Sequence, residues 1–221
     1  MNSKLNKDGF LIRNEQSGDC RAVEELTREA FWNVYKPGAE EHYLVHVMRT
    51  HPDFIPALAF VITHGERIVA NIMYMKSWLE DGTGAKKETL SFGPICVHCD
   101  YQRQGLGKWL ISHSFAAAKG MGYDTVVIFG NPENYVCSGF KSALRFNVCL
   151  EGGIFPTSLL VCELTPGVLD GRRYYYRESD VCALLLPEKI AEFDRTFPAK
   201  TPGWQPSQEK FYIYSHSQIH A

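Results

Sequence analysis

The 221-residue chain has no stretch approaching the roughly 20 apolar residues of a membrane span. Its N-terminus, MNSKLNKDGFLIRN, lacks the apolar run of a signal peptide. Both absences lead to the expectation of a cytoplasmic protein. An excess of either charge is missing too: 23 Lys+Arg stand against 25 Asp+Glu, a formal net charge of −2. That excludes the basic footprint of a nucleic-acid binder and the polybasic arm of a membrane-surface protein. No internal repeat or low-complexity segment is visible. A disulfide framework is not indicated, because the seven cysteines are odd in number, widely spread and mostly set in apolar runs. Two phosphate-binding signatures also fail. The G-x-x-x-x-G-K-[ST] loop would need Gly at 102 and Ser or Thr at 109, where Gln102 and Trp109 stand. The G-x-G-x-x-G fingerprint fails at Leu110.

What is present suits an ordinary globular protein: 45% hydrophobic and 22% charged residues, enough for a full core in one large domain or one domain with an extension. Residues 10–14 (FLIRN) read as a first strand. Asp19 is a plausible N-cap for a helix over 20–32, with Val23, Leu26, Ala30 and Phe31 near helical spacing. Lys36-Pro37-Gly38 breaks that pattern, and residues 40–49 read as a second helix with Tyr43, Leu44, Val47 and Met48 on its apolar side. Strands are expected at 58–63 and 68–78, joined by a glycine turn, then a loop over 79–87 and a long strand over 89–97. Further strands are expected at 124–130, 143–150 and 158–164. Beyond Pro166 come an edge strand at 171–177, a short helix at 187–197 with Pro at its start, a Pro/Gly loop at 201–206, and the tail KFYIYSHSQIHA.

One stretch organises the rest, residues 92–122. A strand ending at Ile95, Cys96 and Val97 feeds the turn QRQGLG (102–107), which opens a helix over 108–119 stopped by Gly120 and Gly122. Amides at a helix start have no intrahelical partner, and the dipole favours negative charge there. Gly105 and Gly107 let backbone approach a phosphate closely. A phosphorylated cofactor is therefore expected on the turn from Arg103 to Lys108. The pattern that fits is Q/R-x-x-G-x-G/A, filled by Gln102, Gly105 and Gly107. Downstream, Gly130-Asn131-Pro132 precedes Tyr135, which stands four residues before Gly139-Phe140.

In this order and separation the two motifs resemble the GCN5-related N-acetyltransferases, the GNAT superfamily, and within it the YhbS-like predicted N-acetyltransferases. The upstream segments GDCRAVEELTREAF (18–31) and DFIPALAFV (53–61) match the same subgroup, and the resemblance covers roughly the first 165 residues. It implies an α/β (α+β) fold, with a mixed, mostly antiparallel central sheet flanked by helices and splayed near the cofactor. Residues 1–165 would form the acetyltransferase domain, and 166–221 a C-terminal extension packed on it. It implies an enzyme moving an acetyl group from acetyl-CoA to a primary amine by direct attack. Pantetheine would lie along Ile95, Cys96 and Val97, and the Val97 backbone N–H would polarise the thioester carbonyl. Gln102, Arg103, Gln104, Gly105, Leu106, Gly107 and Lys108 would hold the pyrophosphate. Tyr135 would act as general acid to the departing sulfur. Asn131 would bond the pantetheine arm or cap the helix at Pro132.

The general base is open. His98 has a suitable intrinsic pKa, but strand alternation turns it away from the side Val97 faces; Asp100, Glu88 and a water relay are the other candidates. No metal is expected. Cys96-x-x-Cys99 lacks a second ligand pair, so Cys96 reads as a packed thiol, and Tyr43 stands where H-E-x-x-H between His42 and His46 would need Glu. Cys137 reads as a core thiol. By the resemblance, the acceptor, taken as a small amine, lies along residues 31–56 with Tyr43 and Phe54 as walls. Neither a nucleic-acid nor a membrane partner is expected, and a homodimer stays open. A catalytically inactive CoA-binding or sensing protein and an acyltransferase using a longer acyl-CoA are the alternatives.

Overall fold

The computed structural model describes residues 6–7 and 9–220, the first two by backbone alone. Residues 1–5 and 8 of the N-terminal stretch read above thus lie outside the description. Strand β1 (Asn6–Lys7) pairs with β2 (Phe10–Asn14). Helices α1 (Cys20–Phe31) and α2 (Glu41–Met48) follow. Asp19 stands at the N-cap position of α1 but makes no cap bond. Its carboxylate instead takes the Arg13 guanidinium at 2.5 and 2.9 Å and the Gln16 amide at 2.7 Å. Strands β3 (Phe60–His64), β4 (Arg67–Asp81) and β5 (Lys86–Val97) then form an antiparallel meander. The loop expected over 79–87 is mostly strand. Only residues 82–85 turn, because the Asp81 carboxylate accepts from Thr83 N, Thr83 Oγ1 and Ala85 N and closes a tight hairpin.

Helix α3 (Leu106–Gly120) buries Leu106, Leu110, Ile111, Ser114 and Ala118, a stripe at helical spacing. Then come β6 (Thr125–Phe129), α4 (Pro132–Tyr135), β7 (Lys141–Ser142), β8 (Val148–Cys149), β9 (Ile154–Pro156) and β10 (Leu159–Glu163). The strand expected over 143–150 is corrected to a 3-10 turn at Ala143–Phe146 and the two-residue β8. Asn147 between them takes φ +54°, which a strand does not allow. Past Pro166 lie β11 (Tyr174–Arg177), α5 (Pro187–Asp194), α6 (Pro206–His216) and β12 (Gln218–His220).

The main sheet runs β1-β2-β3-β4-β5-β6-β10-β7, with β5–β6 as its parallel contact and antiparallel neighbours elsewhere on that path. β11 is not an edge strand. It pairs antiparallel with the end of β4 and parallel with β8. One core lies between the sheet and α3, around Leu58, Ile72, Tyr74, Leu90 and Leu110; a second, around Val23, Val45, Met48 and Met73, lies under α1 and α2. A third packs β11 against Leu79, Val127 and Leu159.

The C-terminal segment clasps α1, α2 and the loop between them. Asp194 takes the buried Arg28 guanidinium at 2.6 and 3.2 Å. His42 sits between the Phe193 and Phe197 rings. Asn33, at φ +61°, is held by Gly203 N and by Gln208 Nε2, and Tyr35 packs against Phe211 with ring centres 4.6 Å apart. Among the described residues no helix is long and apolar enough to cross a membrane.

Candidate acetyl-transfer site

The site begins where the sheet opens. β5 and β6 pair at Leu90 and Val126 alone, and beyond that point they diverge. The remaining half of β5 keeps its ladder to β4 on one edge and, among the described residues, has no strand on the other. His98 N donates to Val69 O at 2.8 Å. In an antiparallel ladder the adjacent residue turns its groups the opposite way, so Val97 presents its N–H and C=O to the open edge. Gln102 Nε2 already donates to that carbonyl at 3.0 Å, tying the turn to the strand end.

The turn exposes a set of free amides. Gly105, at φ +81°, is the N-cap of α3 and offers no side chain to cap it. The first intrahelical bond runs from Trp109 N to Gly105 O at 2.9 Å. Among the described residues no backbone acceptor takes the amides from Arg103 to Lys108. Of these residues only Leu106 is buried, anchoring the turn in the core; the Arg103 and Lys108 side chains are exposed. This is a cradle for an anion, built from amides and two cations.

Turn, β5 edge and α4 all face one cavity of about 780 Å³. Gln102, Arg103, Gly105, Gly107 and Lys108 line it, as do Ile95, Cys96, Val97 and Tyr135; Gln104 and Asn131 do not. The Tyr135 ring packs against Gly130, where an added Cβ would stand 2.5 Å from Cε2. Phe92 and Phe140 flank it with ring centres 5.8 Å away. Burial pushes the phenol up to about 12, so it is protonated at neutral pH. Asn131 caps α4, its side chain accepting from Glu133 N at 3.1 Å, which is the cap alternative raised above.

Comparison with known proteins agrees with this geometry. The family model described as the Acetyltransferase (GNAT) family matches residues 23–136. The chain belongs to the GNAT acetyltransferase family. It is an enzyme of the N-acetyltransferase class. A relative is the uncharacterized N-acetyltransferase YhbS of Escherichia coli K12, 29% identical over 139 residues, 63% of this chain and 78% of that protein. The crystal structure of E. coli YhbS in complex with CoA shares the fold, with TM-score 0.69 and 23% identity over 82% of this chain and 96% of that one. So does a GNAT-family acetyltransferase from Brucella melitensis in complex with acetyl-CoA, with TM-score 0.62 and 20% identity over 78% and 97% of the two chains.

On this GNAT scaffold several expected residues fall outside the cavity. His98 faces the far side of the sheet, beside Ala22 and Glu25, with Arg67 Nη2 2.6 Å from its Nε2. Strand alternation, which raised the objection, explains the placement. Asp100 is exposed on the following turn, and Glu88 is engaged by Lys76 and Tyr123. None of the three meets the reacting end. Cys96 is a packed thiol, as its strand position suggested. Its Sγ lies 2.7 Å from Asn71 Oδ1, and burial pushes it up to about 12. Cys137 is corrected from core thiol to exposed, on the cavity wall. Tyr43 and Phe54 are not walls: Tyr43 packs on Phe193, and Phe54 bridges to Met75.

The cavity is lined instead by Phe31, Tyr35, Glu41, Leu44, Met48 and, from beyond β11, Glu178. Burial pushes the Glu41 carboxyl up to about 7, while Glu178 is solvent-exposed where it lines the cavity. Glu41 had a readable signal. It stands three and seven residues before Leu44 and Met48, at the head of the apolar stripe of α2. Glu178 had none, since only the pairing of β11 with β4 brings it here.

Proposed function

We propose that the protein transfers an acetyl group from acetyl-CoA to a primary amine of a small acceptor by direct attack. The observation that carries this reading is the unpaired edge of β5, which ends at Val97 and runs into a turn of free amides within the cavity that Tyr135 lines. The fit is chemical. Extended pantetheine adds to a strand edge through backbone bonds, and a pyrophosphate suits amides flanked by Arg103 and Lys108. The related proteins named as complexes with CoA and acetyl-CoA support the same ligand.

In this reading Ile95 and Val97 bind the pantetheine arm, and Val97 N–H stabilises the carbonyl oxygen as it gains charge. The neutral amine attacks the thioester carbon, the C–N bond forms and the C–S bond breaks. Tyr135 donates a hydrogen bond to the departing sulfur, and the surplus proton of the adduct nitrogen ends on the thiol. Residues 1–165 would carry this chemistry, and 166–221 would close its acceptor side. All seven cysteines are free thiols, which suits the cytoplasm.

Steady-state kinetics of Tyr135→Phe test the reading. Among the described residues the phenol has no hydrogen-bond partner, so the substitution leaves the fold's bonds intact. The expected outcome is a fall in kcat of about 100-fold with CoA affinity by calorimetry unchanged. Unaltered turnover would remove Tyr135 from the chemistry, and wild-type protein giving no heat with CoA would remove the transferase reading.

A further inference from the structure

The cavity meets both faces of the sheet. Ile95 and Val97 pack with the core on the α3 face, Cys96 with the core under α1 and α2, and all three line the cavity. It therefore passes through the gap where β5 and β6 diverge. The phosphate turn opens α3 and belongs to the first face. On the second face the walls are Phe31 from α1, Val34 and Tyr35 from the loop behind it, Leu44 from α2, Met75 from β4 and Phe129 from the end of β6. Phe129 alternates with Val127, which packs in the β11 core with Leu79, and Leu79 shares its side of β4 with Met75.

These apolar side chains are held in place without being covered. Phe31 and Leu44 pack one flank on the core under α1 and α2 and stay partly exposed. The Tyr35 ring is wedged between Phe31, with ring centres 5.7 Å apart, and Phe211 of α6, at 4.6 Å. Phe129 keeps 40% of its surface exposed and meets Tyr176 with ring centres 6.0 Å apart. Among the described residues neither Phe31 nor Tyr35 makes a ring contact with Phe129, so the rings face the cavity from separate walls. Rings already fixed by neighbours lose little freedom when a ligand ring joins them. Met75 adds a polarisable thioether, which suits a ring edge. From α1 to α2 the wall has two polar groups, the Tyr35 hydroxyl and the Glu41 carboxyl, which leaves the body of an acceptor with apolar contacts.

Resting on the transferase reading above, we propose that the acceptor is an arylalkylamine. Its amine reaches the thioester through the gap between β5 and β6, and its ring lies on the face opposite α3, among Phe31, Tyr35 and Phe129. Taking a phenyl ring out of water against apolar walls favours binding by roughly 30- to 100-fold. Contact with fixed aromatic rings adds about threefold or more beyond that area. A saturated ring of the same size gains the first factor and not the second. A long acyl chain on the thioester is the rival occupant of these walls, and it too gains the first factor alone. The chain would arrive with the cofactor and the ring with the amine, so varying each substrate in turn separates them.

The test measures kcat/KM with acetyl-CoA for 2-phenylethylamine, 2-cyclohexylethylamine and ethanolamine in wild type, Phe31→Leu and Phe129→Leu. Wild type should prefer 2-phenylethylamine to ethanolamine by at least about 30-fold and to 2-cyclohexylethylamine by about threefold or more. Each substitution should lower the phenyl-to-cyclohexyl ratio about threefold with the KM for acetyl-CoA unchanged. The basicity of the two amines differs but is the same for every variant, so the change in ratio carries the test. Phe129 is half-exposed, and its variant keeps the test open should Phe31→Leu not fold. Ethanolamine handled as well as 2-phenylethylamine by wild type overturns the apolar body. Equal handling of the phenyl and cyclohexyl amines, or a ratio that survives the substitutions, overturns the aromatic one. Octanoyl-CoA turned over faster than acetyl-CoA gives these walls to the acyl chain and overturns the proposal, as does a protein that binds CoA in calorimetry and acetylates none of the three amines. Wild type giving no heat with CoA would instead remove the transferase reading, and this one with it.

Discussion

Gly105 carries the geometry of the phosphate turn. At φ +81° a residue with a Cβ is strained, and a β-branched one more so. The surroundings leave room, since nothing lies within 4 Å of an added Cβ. The penalty for Gly105→Val is therefore one of backbone conformation, on the order of 1–3 kcal/mol. The turn relieves it by rotating peptide units away from the cradle. The expected outcome is a CoA Kd raised at least tenfold by calorimetry, with the helical circular dichroism of wild type. An unchanged Kd would show that these amides are not what the pyrophosphate meets. Gly105 and Tyr135 were legible one at a time, because each acts through bonds within a few residues. His98 shows the limit of that: its chemistry suited a base, and the side of the strand it occupies removed it.

At the scale of elements, the C-terminal helix α5 is held to α1 by a bidentate ion pair. Asp194→Ala leaves the Arg28 guanidinium buried without its partner and withdraws a charge beside His42. Asp194 is itself partly exposed, so the loss is near the lower end for a broken buried pair, roughly 2 kcal/mol. A urea titration should show the midpoint falling with the slope m unchanged; a larger m together with weakened acceptor binding would mean that the segment from β11 to α6 detaches as a unit. The elements up to α3 were readable from hydrophobic periodicity, except the end of β4 and the start of β5, which polar residues with Gly82 and Gly84 made read as a loop. β11 was not. Residues 171–177 read as an edge strand, and only pairing on both sides, with β4 about a hundred residues earlier and with β8, makes β11 internal. The same long-range pairing brings Glu178 to the site. The phosphate-turn side of the cavity is thus written locally in the chain, and the wall that carries Glu178 is assembled by tertiary contacts.

For the whole molecule, two buried groups pull stability in opposite directions with pH. Burial lowers His42 to about 4, with Nε2 3.1 Å from Asp194 Oδ1 but without hydrogen-bond geometry. Its neutral form is the folded one. It contributes stability present above its unfolded value of 6.5 and lost as pH falls toward 4, about 3 kcal/mol across that window. Glu41, raised by burial from 4.5 to about 7, does the reverse: it contributes stability present below 4.5 and lost as pH rises through 7. Between pH 4.5 and 6.5 the slopes offset, so wild type should vary little there and weaken toward pH 8. Glu41→Gln removes the falling part. Guanidinium unfolding at pH 4.5, 6 and 8 should find the variant level with wild type at the first and more stable at the last, with its stability now climbing through the His42 window. A variant weaker than wild type at pH 8 would mean that the Glu41 carboxylate is already satisfied inside the protein.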